Sequence, residues 1–266
     1  MNQQILTALP QGHPWAGNIH YFDSIGSTND EAKRLAAEGA SHGTVVIAGH
    51  QNGGRGRMGR SFHSPAGLGI YLSVILRPDC APTQLMHLTC AAAVAMCDAV
   101  EMAAGFRPGI KWTNDLVYGK RKLGGILTEL SLGADHYVNY AIVGIGINCL
   151  HTKQDFPAEL QDMAGSLAMI SPTPVDTAKV AAAMIDDLYF MSQYLLTDKA
   201  AIMDRYRADC VTIGQAVSIH RFDEVRHGTA MGVDDEGALL VRFPDGHTEP
   251  VAAGEVSIRG MYGYVN

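Results

Sequence analysis

Gly69 to Leu76 is apolar on both alternations of a strand, and Thr83 to Ala104 is apolar almost all the way round a helical wheel. A strand without a polar face must be covered on both sides, and a helix without a polar stripe must be packed among other elements. Together they require a layered domain with a sheet at its centre. Thr83 is the expected N-cap of the helix and Gly105 its stop. With 266 residues and 47% hydrophobic content, the chain can bury such a core and still carry a smaller appended unit.

Ile19 to Phe22 and Thr44 to Ala48 predict short strands, and a helix opens between them, with Thr28 and Glu31 at capping-box spacing. Ile110 to Val117 and Leu123 to Leu130 predict two strands joined across Tyr118-Gly119-Lys120-Arg121, and Tyr137 to Asn148 predicts another. After Ser171-Pro172-Thr173-Pro174, two helices are expected, over Val175 to Leu196 and around Lys199 to Arg207. From Gly214 the period changes. Short alternating segments (Ala216 to His220, Thr229 to Val233, Ala238 to Phe243, Thr248 to Val251, Val256 to Arg259) suggest a small SH3-like β-barrel. The expected fold class is α+β, with a main domain over 1–212 and the barrel over 213–266.

The run Gln51-Asn52-Gly53-Gly54-Arg55-Gly56-Arg57-Met58-Gly59-Arg60 places three fixed cations on glycine-rich backbone, a combination suited to closing on an anion. Alone it fits a solvated Arg-Gly loop or an RNA contact equally well. The whole chain carries 20 basic against 27 acidic residues, a net charge of −7, which is the wrong sign for gripping long nucleic acid. Cys80, Cys90, Cys97, Cys149 and Cys210 form no C-x-x-C pair and lie mostly in apolar stretches, so reduced core thiols are expected rather than zinc or disulfides. No signal peptide and no long uninterrupted apolar run is present, so the reading is cytoplasmic, with no membrane partner.

Two further clusters share the clamp's design, Lys111-Trp112-Thr113-Asn114-Asp115 and Lys120-Arg121-Lys122-Leu123-Gly124-Gly125. Asp115 is a candidate magnesium partner through phosphate and water, although Lys111 and Asp115 could also simply pair at a strand end. Trp112 suits a core position as well as a ligand shelf. Gly144-Ile145-Gly146 lacks the third glycine and following helix of a dinucleotide fingerprint.

Ser27-Thr28-Asn29, Gln51 to Arg60, Lys111 to Leu116, Arg121 to Glu129 and Gly144 to Asn148 resemble, in order and spacing, the catalytic domain of biotin protein ligases, and Gly254 to Arg259 resembles that family's C-terminal segment. The resemblance implies a class II aminoacyl-tRNA synthetase-like mixed sheet. It also implies an ATP-dependent enzyme that makes biotinyl-5′-AMP and transfers biotin to a lysine of a biotin carboxyl carrier protein. It assigns biotin to Ser27, Thr28, Asn29, Gln51, Gly54, Arg55, Gly56, Arg57, Lys122 and Gly125. The nucleotide falls to Arg55, Arg57, Arg60, Trp112, Asn114, Asp115, Lys122 and Asn148, with Mg2+ carried on the ATP beside Asp115. Lys122 and Arg57 are the implied catalytic residues.

Thr113 stands where the family commonly has proline. About twenty residues precede the first motif strand, too few for a helix-turn-helix, so no DNA partner is expected. A homodimer through a sheet edge stays open. Two rival readings remain: a lipoate ligase or octanoyl transferase, the latter needing a cysteine nucleophile for which only Cys149 is near a motif, and a nucleic-acid-binding module.

Overall fold

The computed structural model describes residues 1–221, 224–252 and 255–258. In chain order they form α1 (Asn2–Ala8), β1 (Ile19–Phe22), α2 (Thr28–Ala37), β2 (Thr44–Ala48), β3 (Gly69–Leu76), α3 (Leu88–Ala104), β4 (Gly109–Lys111), β5 (Asp115–Tyr118), β6 (Arg121–Leu132), β7 (Val138–Asn148), α4 (Thr177–Tyr194) and α5 (Lys199–Asp209). The tail follows as β8 (Ala216–Arg221), β9 (Glu224–Val233), β10 (Leu239–Arg242), β11 (Thr248–Val251) and β12 (Glu255–Ile258).

Seven strands make one mixed sheet in the order β1-β2-β3-β7-β6-β5-β4, parallel between β1 and β2 and antiparallel elsewhere. The apolar strand β3 lies inside it, covered on both faces as its composition demands. Ala32 and Ala36 of α2 pack on one face with Val46, Ile75 and Ile142. On the other face Val45, Leu72, Val74 and Val143 join the large core built with α3 and α4. By composition Pro82–Ala104 is long and apolar enough to cross a bilayer, but in the fold α3 is the buried helix of this core.

Gly105 ends α3 as expected, with φ 75° and its N–H on Glu101 O. The start differs. Pro82–Leu85 is a 3₁₀ turn in which Gln84 Oε1 accepts from Ala81 N–H, so Thr83 lies inside a turn and the helix begins at Leu88. Nor does Thr28 cap α2. Ser27 is the N-cap, without a side-chain cap bond, and Glu31 is bound to Arg34 instead. α1 carried no sequence signal, and it is fixed by a single fully buried residue, Ile5.

The expected strand Ile110 to Val117 is two strands, β4 and β5, hairpinned at Trp112-Thr113-Asn114. These three residues find hydrogen-bond partners outside the ladder. Trp112 N–H donates to Thr212 Oγ1, Thr113 O accepts from Tyr206 Oη, and Asn114 Nδ2 donates to Ile126 O. The tail forms an open antiparallel sheet, β11-β10-β9-β8-β12, so among the described residues no barrel closes. Gly254 and Arg259 of the expected terminal segment lie outside the described residues. This sheet docks on the main domain where Trp112 Nε1 donates to Gly237 O and Arg207 Nε to Val233 O.

Candidate active site

The start of α2, the segment after β2, the β4–β5 turn and the near ends of β6 and β7 surround one cleft. Ser27, Thr28, Asn29, Gln51, Arg55, Gly56, Arg57, Arg60, Trp112, Asn114, Asp115, Lys122 and Gly125 all line its first lobe. A second lobe shares Arg60, Phe62, Lys111, Asp115 and Lys122 with the first and adds Asn148, His63 and Phe156. Motifs far apart in the chain therefore meet at one place.

The arginine run folds back as a hairpin. Gln51 N–H bonds Ser64 O, Phe62 N–H bonds Gly54 O at 2.9 Å, and Gly56 N–H bonds Arg60 O at 2.7 Å. Its tip is a 3₁₀ turn, Arg57–Gly59, with Met58 at φ 56° and Gly59 at φ 74°. Gly54 does not line the cleft; a Cβ there would stand 2.6 Å from Phe62 O and Ser64 Oγ, so it lets the two arms close behind the wall. The two glycines of Gly144-Ile145-Gly146 have different purposes. A Cβ on Gly144 would fall 1.8 Å from Asn29 Oδ1, and one on Gly146 would fall 2.5 Å from the Phe62 ring. Bare backbone on β7 thus seats α2 and the hairpin.

One polar network fixes the floor of the first lobe. Gln51 Oε1 accepts from both Thr28 N–H (2.8 Å) and Thr28 Oγ1 (3.1 Å), while Gln51 Nε2 donates to Ser64 Oγ. Ser73 Oγ lies 2.9 Å from Thr28 Oγ1 and 2.6 Å from Asn29 Oδ1. Asn29 Nδ2 donates to Glu129 Oε2, whose other oxygen takes Lys33. Burial acts to raise the Glu129 carboxyl, but the bonds from Lys33 and Asn29 outweigh it and hold the carboxyl below its ordinary value. Asn29, expected to contact ligand, therefore has its side chain committed to the framework. Ser27 is a largely buried residue of the same wall, and its Oγ makes no hydrogen bond among the described residues.

The cations are arranged unequally. Arg55 lines the cleft but pairs with Asp30 of α2, which also takes Lys33. Arg57 Nη1 reaches across to Thr113 Oγ1 (2.9 Å) and Asn114 Oδ1 (3.0 Å). Asp115 pairs with Lys122, Nζ to Oδ1 at 2.6 Å. Lys122 stands at the junction of the lobes, and its backbone is held by Met163 O and Gly165 N–H. Asn148, on the second lobe only, donates to Gly165 O. Trp112 borders the first lobe but is almost wholly buried, its indole spent on Gly237.

Phe62, Ser73 and Phe156 belong to the site or its framework and escaped sequence reasoning, while Glu129 fell within a motif that assigned it no role. Ser73 and Phe156 sit in an apolar strand and an irregular stretch that carry no motif.

Residues 21–148 match the Biotin/lipoate A/B protein ligase family, and residues 212–259 match the Biotin protein ligase C terminal domain. The chain is 39% identical to the bifunctional ligase/repressor BirA of Bacillus spizizenii over 232 residues, 86% of this chain and 70% of that protein. It is 33% identical to the biotin–[acetyl-CoA-carboxylase] ligase of Mycobacterium tuberculosis, covering 87% of this chain and 85% of that one. The chain belongs to the biotin/lipoate protein ligase family. Among solved structures, the biotin protein ligase of Aquifex aeolicus in complex with biotin and ATP superposes with a TM-score of 0.76 at 26% identity, covering 91% of this chain and 98% of that one.

Within that family the cysteine chemistry of an octanoyl transferase finds no support here. Cys149 is fully buried, directs Sγ to Ile147 O at 3.7 Å, and has its thiol pushed up to about 12 by burial. The nucleic-acid reading also loses its basis, since Arg55 and Arg57 of the arginine run are engaged within the ligase cleft rather than displayed on an extended surface.

Proposed function

We propose that this protein is an ATP-dependent ligase that activates biotin as biotinyl-5′-AMP and transfers it to one lysine of a biotin carboxyl carrier domain. The observation that carries the reading is Lys122 at the meeting point of two lobes, with the arginine hairpin across the first. One lobe, floored by Ser27, Thr28 and Gln51, suits the ureido ring of biotin. The other, with Asn148 and Phe156, suits adenine.

A biotin carboxylate oxygen attacks the α-phosphorus, the bond to the bridging oxygen breaks, and pyrophosphate leaves. Two anions must approach each other for this, and the Lys122 ammonium between the lobes is aimed at both. Arg57 and Arg60 add charge at the phosphates, and Gly56 and Gly125 allow backbone approach. The lysine amine of the carrier then attacks the acyl carbon, the bond to AMP breaks, and the amine's proton passes to solvent. Until then the hairpin shields the mixed anhydride from water.

Asp115 is the carboxylate that lines both lobes, and no group of three or more His, Cys, Asp or Glu among the described residues could cage a metal. That donor set fits magnesium carried by the triphosphate and held by Asp115 directly or through water, not an all-protein site. When bound, Mg2+ neutralises phosphate oxygens. The reading includes a class II synthetase-like catalytic domain over 1–212 and an SH3-like unit from 213 onward.

The test is an intact-mass measurement after mixing the protein, biotin, Mg-ATP and a carrier domain. One biotin added to the carrier, with pyrophosphate released only when biotin is present, is expected. Pyrophosphate release indifferent to biotin would reject the assignment.

A further inference from the structure

We propose that Thr113 is a positioning residue whose hydroxyl latches the arginine hairpin shut over the activated intermediate. The inference deepens the ligase reading and rests on it.

Arg57 Nη1 carries two N–H groups, and Thr113 Oγ1 at 2.9 Å and Asn114 Oδ1 at 3.0 Å take one each. The receiving turn is stiff. Asn114 Nδ2 donates to Ile126 O at 2.9 Å, Ile126 N–H donates back to Asn114 O at 3.0 Å, and the buried Tyr206 donates its hydroxyl to Thr113 O at 3.1 Å. The hairpin tip is the opposite. Met58 is 68% exposed, and nothing lies within 4 Å of where a Gly59 Cβ would stand. A soft tip bonded to a stiff turn stays down for as long as that bond lasts.

The latch does not compete with ligand binding. Arg57 Nε and Nη2 make no hydrogen bond to the described residues, leaving three of the five guanidinium N–H groups for an anion in the cleft. Asn114 is already tied to β6, so the Thr113 hydroxyl is the acceptor that can be removed with the turn's other bonds intact. Valine keeps the branched shape and the backbone carbonyl that Tyr206 uses. Thr113 itself lies outside the lining of either lobe.

For the test, the protein and its Thr113→Val and Thr113→Ser variants are loaded with biotin and Mg-ATP and stripped of free ligand. Escape of biotinyl-5′-AMP into the filtrate is then followed, together with biotinylation of bystander lysines. Thr113→Val is expected to release the intermediate on the order of tenfold faster, the effect of losing one charge-assisted hydrogen bond. Its single-turnover pyrophosphate release should stay within about twofold of the parent, because ligand contacts are untouched. Thr113→Ser should retain the intermediate as the parent does. In an Arg57→Gly background, Thr113→Val should add nothing, since the donor is already gone. Thr113→Ala, read in the same way, serves where valine lowers the Tm. Equal retention by the valine and parent proteins overturns the latch, as does fast release by the serine variant or additivity with Arg57→Gly. Absence of biotin-dependent pyrophosphate release in the parent overturns the ligase reading instead.

Discussion

Lys122 Nζ stands 2.6 Å from Asp115 Oδ1 at the point where the two lobes of the cleft meet. The pair orients the ammonium before any substrate arrives, so that a carboxylate from one side and a phosphate from the other converge on a charge already in place. Lys122→Ala is expected to lower biotin-dependent pyrophosphate release by about 100-fold or more. Its melting temperature should barely move, because a partly exposed pair contributes only about 0–1 kcal/mol. A pyrophosphate assay beside a melting curve checks both, and undiminished release would remove Lys122 from this role.

Ser27 occupies a capping position yet makes no cap bond, and although the residue is only 5% exposed it lines the first lobe. A helix-stabilising serine and a ligand-binding serine therefore predict different results. Ser27→Ala should raise the KM for biotin by roughly tenfold, one hydrogen bond's worth, and change stability by less than about 0.5 kcal/mol. A stability loss near 1 kcal/mol with an unchanged KM would mean that the serine serves the helix alone.

Strands β2 and β3 were legible to the residue because branched and apolar side chains buried on both faces leave no other reading. That the clamp, Lys122 and Asp115 share one cleft was implied by the resemblance to biotin protein ligases rather than by the pattern of any one segment. Other features depended on partners distant in sequence. Asn29 reads as a ligand contact until Ser73 and Glu129 are seen holding both ends of its amide. Ile110 to Val117 reads as one strand until Thr212, Tyr206 and Ile126 take the hydrogen bonds of its middle. The barrel expectation rested on strand spacing, which sets the number of strands but not whether the edges β11 and β12 meet.

Gly146 faces Phe62, which lines both lobes, and an added Cβ would stand 2.5 Å from the ring. The Phe62 backbone is held by its N–H bond to Gly54 O at 2.9 Å, and its ring packs edge-on against Tyr71 with centroids 6.4 Å apart. Gly146→Ala should therefore push the hairpin off its seat and weaken biotin and ATP together, each by about tenfold in KM. Gly144→Ala differs, because the clash is with the framework residue Asn29; a loss of about 1–3 kcal/mol in unfolding free energy is expected. Titration calorimetry and urea unfolding separate the two outcomes, and a Gly146 variant that loses only one ligand would argue against Phe62 as a shared wall.

His151 is buried and stacked on Phe156 of the second lobe, with ring centroids 4.7 Å apart. Burial, with a smaller contribution from His63, pushes its pKa down to about 4. Because the folded value lies below the unfolded one near 6.5, the stabilisation is fully present above pH 6.5 and is lost as pH falls toward 4. The loss amounts to about 3 kcal/mol at most. Asp187 acts in the opposite direction: burial, helped by Asp98 and Asp186, pushes its carboxyl up to about 7, so that group favours the folded state at lower pH. The test is accordingly a difference between proteins, urea unfolding of the parent and of His151→Phe at pH 7 and pH 5. The parent should lose more stability than the variant between those two values, because the unfolded imidazole takes up a proton there while the folded one stays mostly neutral. Equal losses would mean that His151 is charged or solvated in the folded protein, and the stack would then have no part in the pH response.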